Sequence, residues 1–142
     1  MAQTNLPDSW YTLCVAKDVD LNKPGIYYWV IAGGDSYIGK YSNIDRPTKH
    51  YGRIVERYRN GGNYRPGNPT GFRRVHIALS EAVKEKRKVE LRILENVEPA
   101  RLQEREAELI CQMRPTLNGP AARNADCVLE SPEAYRRRVL EE

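Results

Sequence analysis

The chain has 142 residues, 30 % of them charged and 40 % hydrophobic, with a net charge of +4, an isoelectric point near 9.0 and a mean hydropathy of -0.70. That length fits one domain with a modest core, and no apolar run approaches the ~20 residues that cross a bilayer, so no membrane role is expected. The basic excess is compatible with a polyanionic partner without requiring one.

Cys14, Cys111 and Cys127 are odd in number and lack metal-ligand spacing. This argues against a disulfide framework and for free thiols in a reducing, cytoplasmic setting. No basic segment followed by an apolar run opens the chain, so no signal peptide is expected.

Met1 to Asp8 is polar and expected to be loose, and Trp10 to Ala16 alternates enough for a strand or an ordered arm. Asn22-Lys23-Pro24 ends it. Gly25 to Ile31 and Tyr37 onward are then two runs of β-branched and aromatic residues flanking the turn-forming Ala32-Gly33-Gly34-Asp35-Ser36. This is a hairpin pattern, and it sets Tyr27 and Tyr37 on adjacent antiparallel strands where they can share a face. Tyr28 should point to the opposite face as a structural residue.

Pro47 fits the first turn of a helix, with Asp45 or a neighbour capping it and Ile54, Val55 and Tyr58 at helical spacing to about Arg59. On that helix Arg46 and His50 lie one turn apart, and Arg53 faces roughly the same way, so either arginine could clamp an anion. Asn60 to Gly71 is a long loop of glycine, asparagine and proline, bracketed by Arg57 and Arg59 before it and Arg73 and Arg74 after it. It reads as a basic flap that tracks phosphates, with Tyr64 stacking or wedging, or as a solvated surface loop.

Val75, Ala78, Leu79, Ala82 and Val83 mark an amphipathic helix, with His76 away from the stripe and given no role. Val89, Leu91, Ile93 and Val97 alternate with polar residues as a third strand. Pro99 starts another helix with a stripe of Leu102, Leu109, Ile110 and Met113. Glu106 falls within that stripe, four residues from both Leu102 and Ile110. A carboxylate directed there needs a cation or strong donors, either as a site or as a plain ion pair with an arginine. Ser131-Pro132-Glu133 opens a C-terminal helix exposing Arg136, Arg137 and Arg138.

Gly25-Ile26-Tyr27 and Tyr37-Ile38-Gly39, followed by Arg46 and His50 and then by Glu106, Pro115 and Asn118, resemble the signature of the GIY-YIG nuclease superfamily. The resemblance covers Gly25 to Asn118. It implies an α+β fold with a small three-stranded antiparallel sheet flanked by helices, in a single domain over residues 1–142 (core 22–119, helical tail 120–142). It further implies a metal-dependent DNA endonuclease, of restriction type given how soon the chain ends after the module. The alternatives are a partner-recruited repair or mobile-element nuclease and a catalytically weak DNA-binding module.

Carried over by position, the resemblance makes Glu106 the single protein ligand of Mg²⁺, with Mn²⁺ able to substitute. A hard ion that keeps most of its waters suits one carboxylate. Arg46 would hold the phosphate, Tyr27 would orient or deprotonate the attacking water with Tyr37 alongside, His50 would assist proton transfer or fix a phosphate, and Asn118 would hold the geometry. A tyrosine acting as a base near neutrality must fall by roughly three pH units, about 4 kcal/mol, for which Lys40, Arg46 and the metal are the available causes. Double-stranded DNA is the expected partner, along Lys40, Arg53, Arg57, Tyr64, Arg65, Arg73 and Arg74, and a homodimer or higher oligomer would cut both strands of a symmetric site.

Overall fold

The computed structural model describes residues 6–7 and 9–118. The expected C-terminal helix with Arg136 to Arg138, the helical tail and Cys127 lie outside them. The chain forms strands β1 (Thr12–Val15), β2 (Gly25–Ile31) and β3 (Ser36–Tyr41), a π-helical turn Arg46–His50 leading directly into helix α1 (Tyr51–Arg59), helix α2 (Arg74–Lys84), strand β4 (Val89–Asn96), and a 3₁₀ turn Pro99–Arg101 leading into helix α3 (Leu102–Met113).

The sheet has the order β1-β4-β2-β3. Strand β2 pairs antiparallel with both β3 and β4, as the sequence predicts, but β1 adds a fourth strand parallel to β4. The sheet is therefore four-stranded and mixed rather than three-stranded and antiparallel, within an α+β architecture. Four residues at an edge, two of them the exposed Leu13 and Val15, give too little periodicity to announce a parallel partner.

Helices cover both faces, so β2, in the interior of the sheet, is apolar on both sides. Tyr27, Trp29 and Ile31 pack with Tyr41, Leu91 and Ile93 under Tyr51 and Val55 of α1 and Val75, Leu79 and Ala82 of α2. The alternate residues Ile26 and Tyr28 pack with Ile38 and Leu94 against Leu102, Leu109 and Met113 of α3. Tyr28 thus faces away from Tyr27, as expected. A register shift between Ile26 and Tyr27 explains why β4 buries two consecutive residues: Tyr27 pairs with Ile93 and Ile26 with Glu95, so Leu94 is the extra residue and turns to the α3 face.

The hairpin turn rests on Gly33 and Gly34, whose φ values of 111° and 115° suit a residue without Cβ. It is closed by the Ile31 N–H donating to the Asp35 carbonyl at 2.9 Å. Helix α3 ends where Arg114 takes the left-handed conformation (φ 48°, ψ 58°) and Pro115 follows.

Beyond that stop, Thr116 to Asn118 run along the free side of β3. The Thr116 hydroxyl accepts from Ser36 N–H (3.0 Å) and donates to Asp35 (3.1 Å), and the Leu117 N–H donates to the Ser36 carbonyl (2.9 Å). The Asn118 side chain accepts from Ile38 N–H and donates to the Ile38 carbonyl, both at 3.0 Å. One amide side chain thus substitutes for a neighbouring strand. Cys14 is a free thiol, whereas Cys111 is disulfide-bonded, against the expectation of free thiols throughout. Among the described residues no helix is long and apolar enough to cross a membrane.

Candidate active site

A cleft of about 510 Å³ opens beside β3, lined by Tyr27, Tyr37, Gly39, Lys40, Ser42, Asn43, Arg46, His50, Arg73, Leu102 and Glu106. Residues from β2, β3, the π-helical turn and α3, far apart in sequence, meet here. Tyr27 and Tyr37 belong to the α1/α2 side of the sheet and Glu106 to α3 on the other, so the cleft wraps around the edge at β3.

Gly39 makes that crossing possible. It pairs directly opposite Tyr27, and a Cβ there would overlap the Tyr27 ring carbon Cζ and hydroxyl. The missing side chain is the space through which the buried Tyr27 ring reaches the cleft. Gly25 has an equally local cause: a Cβ would run into the Glu95 carbonyl oxygen and stand 2.8 Å from the Tyr41 hydroxyl. The two glycines of the paired triplets are thus sterically required in this structure.

The Tyr27 hydroxyl is bonded to the Tyr51 hydroxyl at 2.7 Å, and the two rings meet edge to face. Tyr27 is only 1 % exposed. Burial pushes its phenol pKa well up, helped by Tyr37, while the bond from Tyr51 and the Arg46 charge pull weakly the other way. Tyr51 is also pushed well up, first by burial. This corrects the expectation that the protein's own cations depress Tyr27: Arg46 acts in that direction but burial wins, and Tyr27 is a neutral hydroxyl at pH 7. As a hydroxyl it both donates and accepts. When it donates to Tyr51, its lone pairs are left for a water in the cleft.

Glu106 faces Lys40, Nζ to Oε1 at 3.3 Å, with side-chain exposures of 20 % and 44 %. The carboxylate in the apolar stripe is therefore paired with a strand lysine, not an arginine. Among the described residues no group of three or more His, Cys, Asp or Glu could hold a metal ion. A single half-buried carboxylate beside a water-accessible cleft does suit a hard ion that keeps its waters, so the residues present fit Mg²⁺ on Glu106.

Arg46 lines the cleft and Arg53 does not; Arg53 lies in the neighbouring groove. His50 lines both. Arg73 lines the cleft, where burial lowers its pKa but Tyr37, through charge and a side-chain hydrogen bond, together with Tyr51 and Tyr64, raises it by more. Arg74, at the start of α2, is exposed and lines neither cavity.

Asn118 does not itself line the cleft; it hydrogen-bonds the Ile38 peptide of β3, between the cleft residues Tyr37 and Gly39, and so braces the wall. One placement departs from the sequence reading. Tyr64 is not presented for stacking: it is 9 % exposed, in edge contact with Phe72 and near His76, with the Arg65 guanidinium 4.9 Å above its ring. His76, given no role from sequence, is buried and accepts the Arg73 backbone N–H on Nδ1 at 3.1 Å, which requires the neutral ring. Burial first, then Arg73 and Arg46, lower its pKa to about 4.

Tyr51 is the functional candidate that sequence reasoning missed. In an ordinary α-helix a residue five places after Arg46 faces elsewhere, but the wider π-helical turn over Arg46–His50 brings Tyr51 round to the same side. The signal available in sequence was a tyrosine just past an Arg-Pro helix start, which by itself reads as core. No protein-family model matches the chain, and neither a search of curated proteins nor a search of solved structures gives a match.

Proposed function

We propose that the chain is a metal-dependent endonuclease that hydrolyses phosphodiester bonds in double-stranded DNA, with its reaction centre in the β3 cleft, as a single-domain, restriction-type protein resembling the GIY-YIG nucleases. The observation that carries this reading is the convergence, in one water-accessible cleft, of one half-buried carboxylate, a buried tyrosine whose hydroxyl is bonded to Tyr51, and two arginines with no ion pair among the described residues. A phosphodiester needs its negative oxygens held, its attacking water oriented and its leaving oxygen stabilised. Arg46 and Arg73 supply planar donor forks for the first. The Tyr27 hydroxyl, held by Tyr51 and flanked by Tyr37, supplies the second by accepting a hydrogen bond from the water. His50, at the exposed rim, is placed to carry the proton to solvent. When bound at Glu106, a magnesium ion supplies charge neutralisation at the phosphate and leaving oxygen. Lys40 pairs with Glu106 and adds positive charge on the phosphate side of the cleft.

The raised Tyr27 pKa favours a second reading, a DNA-binding module of the same fold with weak or no cleavage, since burial works against a tyrosinate base. The discriminating experiment is cleavage of supercoiled plasmid with Mg²⁺ by wild type and Glu106→Gln, each with and without EDTA. Discrete fragments from wild type alone, abolished by EDTA, support the nuclease. Cleavage that persists in Glu106→Gln removes the metal-ligand assignment, and salt-sensitive binding without cleavage in Mg²⁺ or Mn²⁺ supports the second reading.

A further inference from the structure

Four arginines away from the cleft are held in ion pairs: Arg105 with Glu95 and Glu108, Arg92 with Glu90, Arg87 with Glu85, and Arg101 with Glu104. Arg46, Arg53, Arg57 and Arg65 form no ion pair among the described residues. All four line a second groove of about 250 Å³, together with His50, Ile54 and Tyr64, and no carboxylate lines it. It adjoins the cleft, since Arg46 and His50 belong to both. Arg46, His50, Arg53 and Arg57 follow one another at intervals of four, three and four residues, a single stripe along the π-turn and α1. The one acid of α1, Glu56, is engaged by the Leu6 backbone N–H at 2.9 Å.

Unpaired guanidinium groups concentrated in a concave, acid-free groove repel one another and gain from a polyanion. Base stacking is not what the groove offers, because the Tyr64 ring is already covered by Arg65, Phe72 and His76. Nor can it hold a divalent cation, for want of a carboxylate.

We infer that this groove is a non-hydrolytic phosphate subsite that holds the DNA backbone on one side of the bond placed in the cleft. The inference rests on the nuclease reading, and it gives the bound strand a direction: from the cleft along α1 toward the Tyr64–Asn68 turn. From Arg46 to Arg57 the helical path rises about 16 Å, enough to follow several phosphates of one strand, which succeed one another every ~3.4 Å of duplex axis.

The test is binding of a short duplex DNA to the full chain in EDTA, where no cleavage occurs, followed by fluorescence anisotropy between ~50 and 200 mM salt. Removing three phosphate contacts with Arg53→Ala/Arg57→Ala/Arg65→Ala lowers the slope of log K against log salt by about 2 to 3 and weakens binding at least about tenfold across that range. The charge-matched Lys17→Ala/Lys84→Ala/Lys88→Ala, at exposed positions lining neither cavity, leaves the slope near wild type. Arg53→Glu provides a variant with no fold contact to lose, since the Arg53 side chain makes no hydrogen bond or ion pair among the described residues, and it too weakens binding. A wild-type slope in the arginine variants, or an equal loss in both triple variants, overturns the subsite while leaving the cleft reading intact. Wild type that neither binds duplex nor cleaves it overturns both.

Discussion

The hydroxyls of Tyr27, which lines the cleft, and of Tyr51, which does not, lie 2.7 Å apart, each ring more deeply buried than a solvent-facing base would be. The bond holds the Tyr27 oxygen in place whichever hydroxyl donates, which makes Tyr51 a positioning residue for Tyr27. Tyr51→Phe removes that bond. The expected cost is about 1 kcal/mol of stability with a drop in kcat that exceeds any change in KM, because the substrate phosphate does not touch Tyr51. Burial raises both phenols above the ordinary tyrosine pKa of about 10. As pH climbs past that value the unfolded chain ionises first, so stability is lost as pH rises toward the folded pKa values. Thermal melts from pH 8 upward should therefore show a shallower alkaline decline in Tyr51→Phe than in wild type. An unchanged decline together with an unchanged kcat would remove Tyr51 from the site.

His76 provides the opposite case. Its pKa of about 4 in the fold lies below the ordinary histidine value. As pH falls from about 6.5 toward 4 the unfolded chain takes up a proton that folded His76 refuses, and stability drops over that window. His76→Gln, which keeps an acceptor near the Arg73 N–H, should flatten the acid side of the melting-temperature profile between those limits. If the wild-type and variant profiles are parallel there, the buried neutral ring is not what limits acid stability.

The triplet glycines make a ranked prediction. At Gly39 the obstacle to a Cβ is the Tyr27 side chain, which can yield; at Gly25 it is the backbone carbonyl of Glu95, which cannot. Gly39→Ala should cost about 1–3 kcal/mol by overpacking and displace Tyr27 from the cleft, while Gly25→Ala should cost more. Urea denaturation of both variants checks the order, and a Gly25→Ala protein as stable as wild type would contradict the register of β2 on β4.

On the metal-dependent reading, Lys40 competes with a divalent ion for the Glu106 carboxylate. An ion pair of this exposure is worth only about 0–1 kcal/mol, so Lys40→Met should tighten Mn²⁺ binding, followed by calorimetry, about twofold to fivefold. Glu106→Gln should abolish it. Equal Mn²⁺ affinity in Glu106→Gln and wild type would move the metal elsewhere.

Much of this arrangement is legible in the sequence because it depends on short-range pattern. The β2–β3 hairpin follows from aromatic and β-branched runs around a two-glycine turn, and Glu106 stands out because helical spacing puts a charge where an apolar residue belongs. What escapes is geometry that composition does not encode. The parallel pairing of β1 joins two segments far apart in the chain. The π-turn rotates Tyr51 into line with Arg46 without any change of residue type. The glycine-rich loop around Tyr64 hides that its root is anchored by Phe72 and His76, which converts an expected stacking residue into a pedestal for Arg65. Asn118 makes its hydrogen bonds to the Ile38 peptide of β3, between two residues that line the cleft, and so braces its wall.

That brace has a consequence for assembly. With Thr116 to Asn118 occupying the outside of β3, the remaining open margin of the sheet among the described residues is β1, at the far end from the cleft. A second copy that joined by strand pairing would add there, building one continuous eight-stranded ribbon with a cleft at each extremity. The two clefts would stand seven strand intervals apart, about 34 Å, which is close to one helical repeat of DNA, about ten base pairs. Such a particle would address two distant points on a duplex and leave the middle untouched.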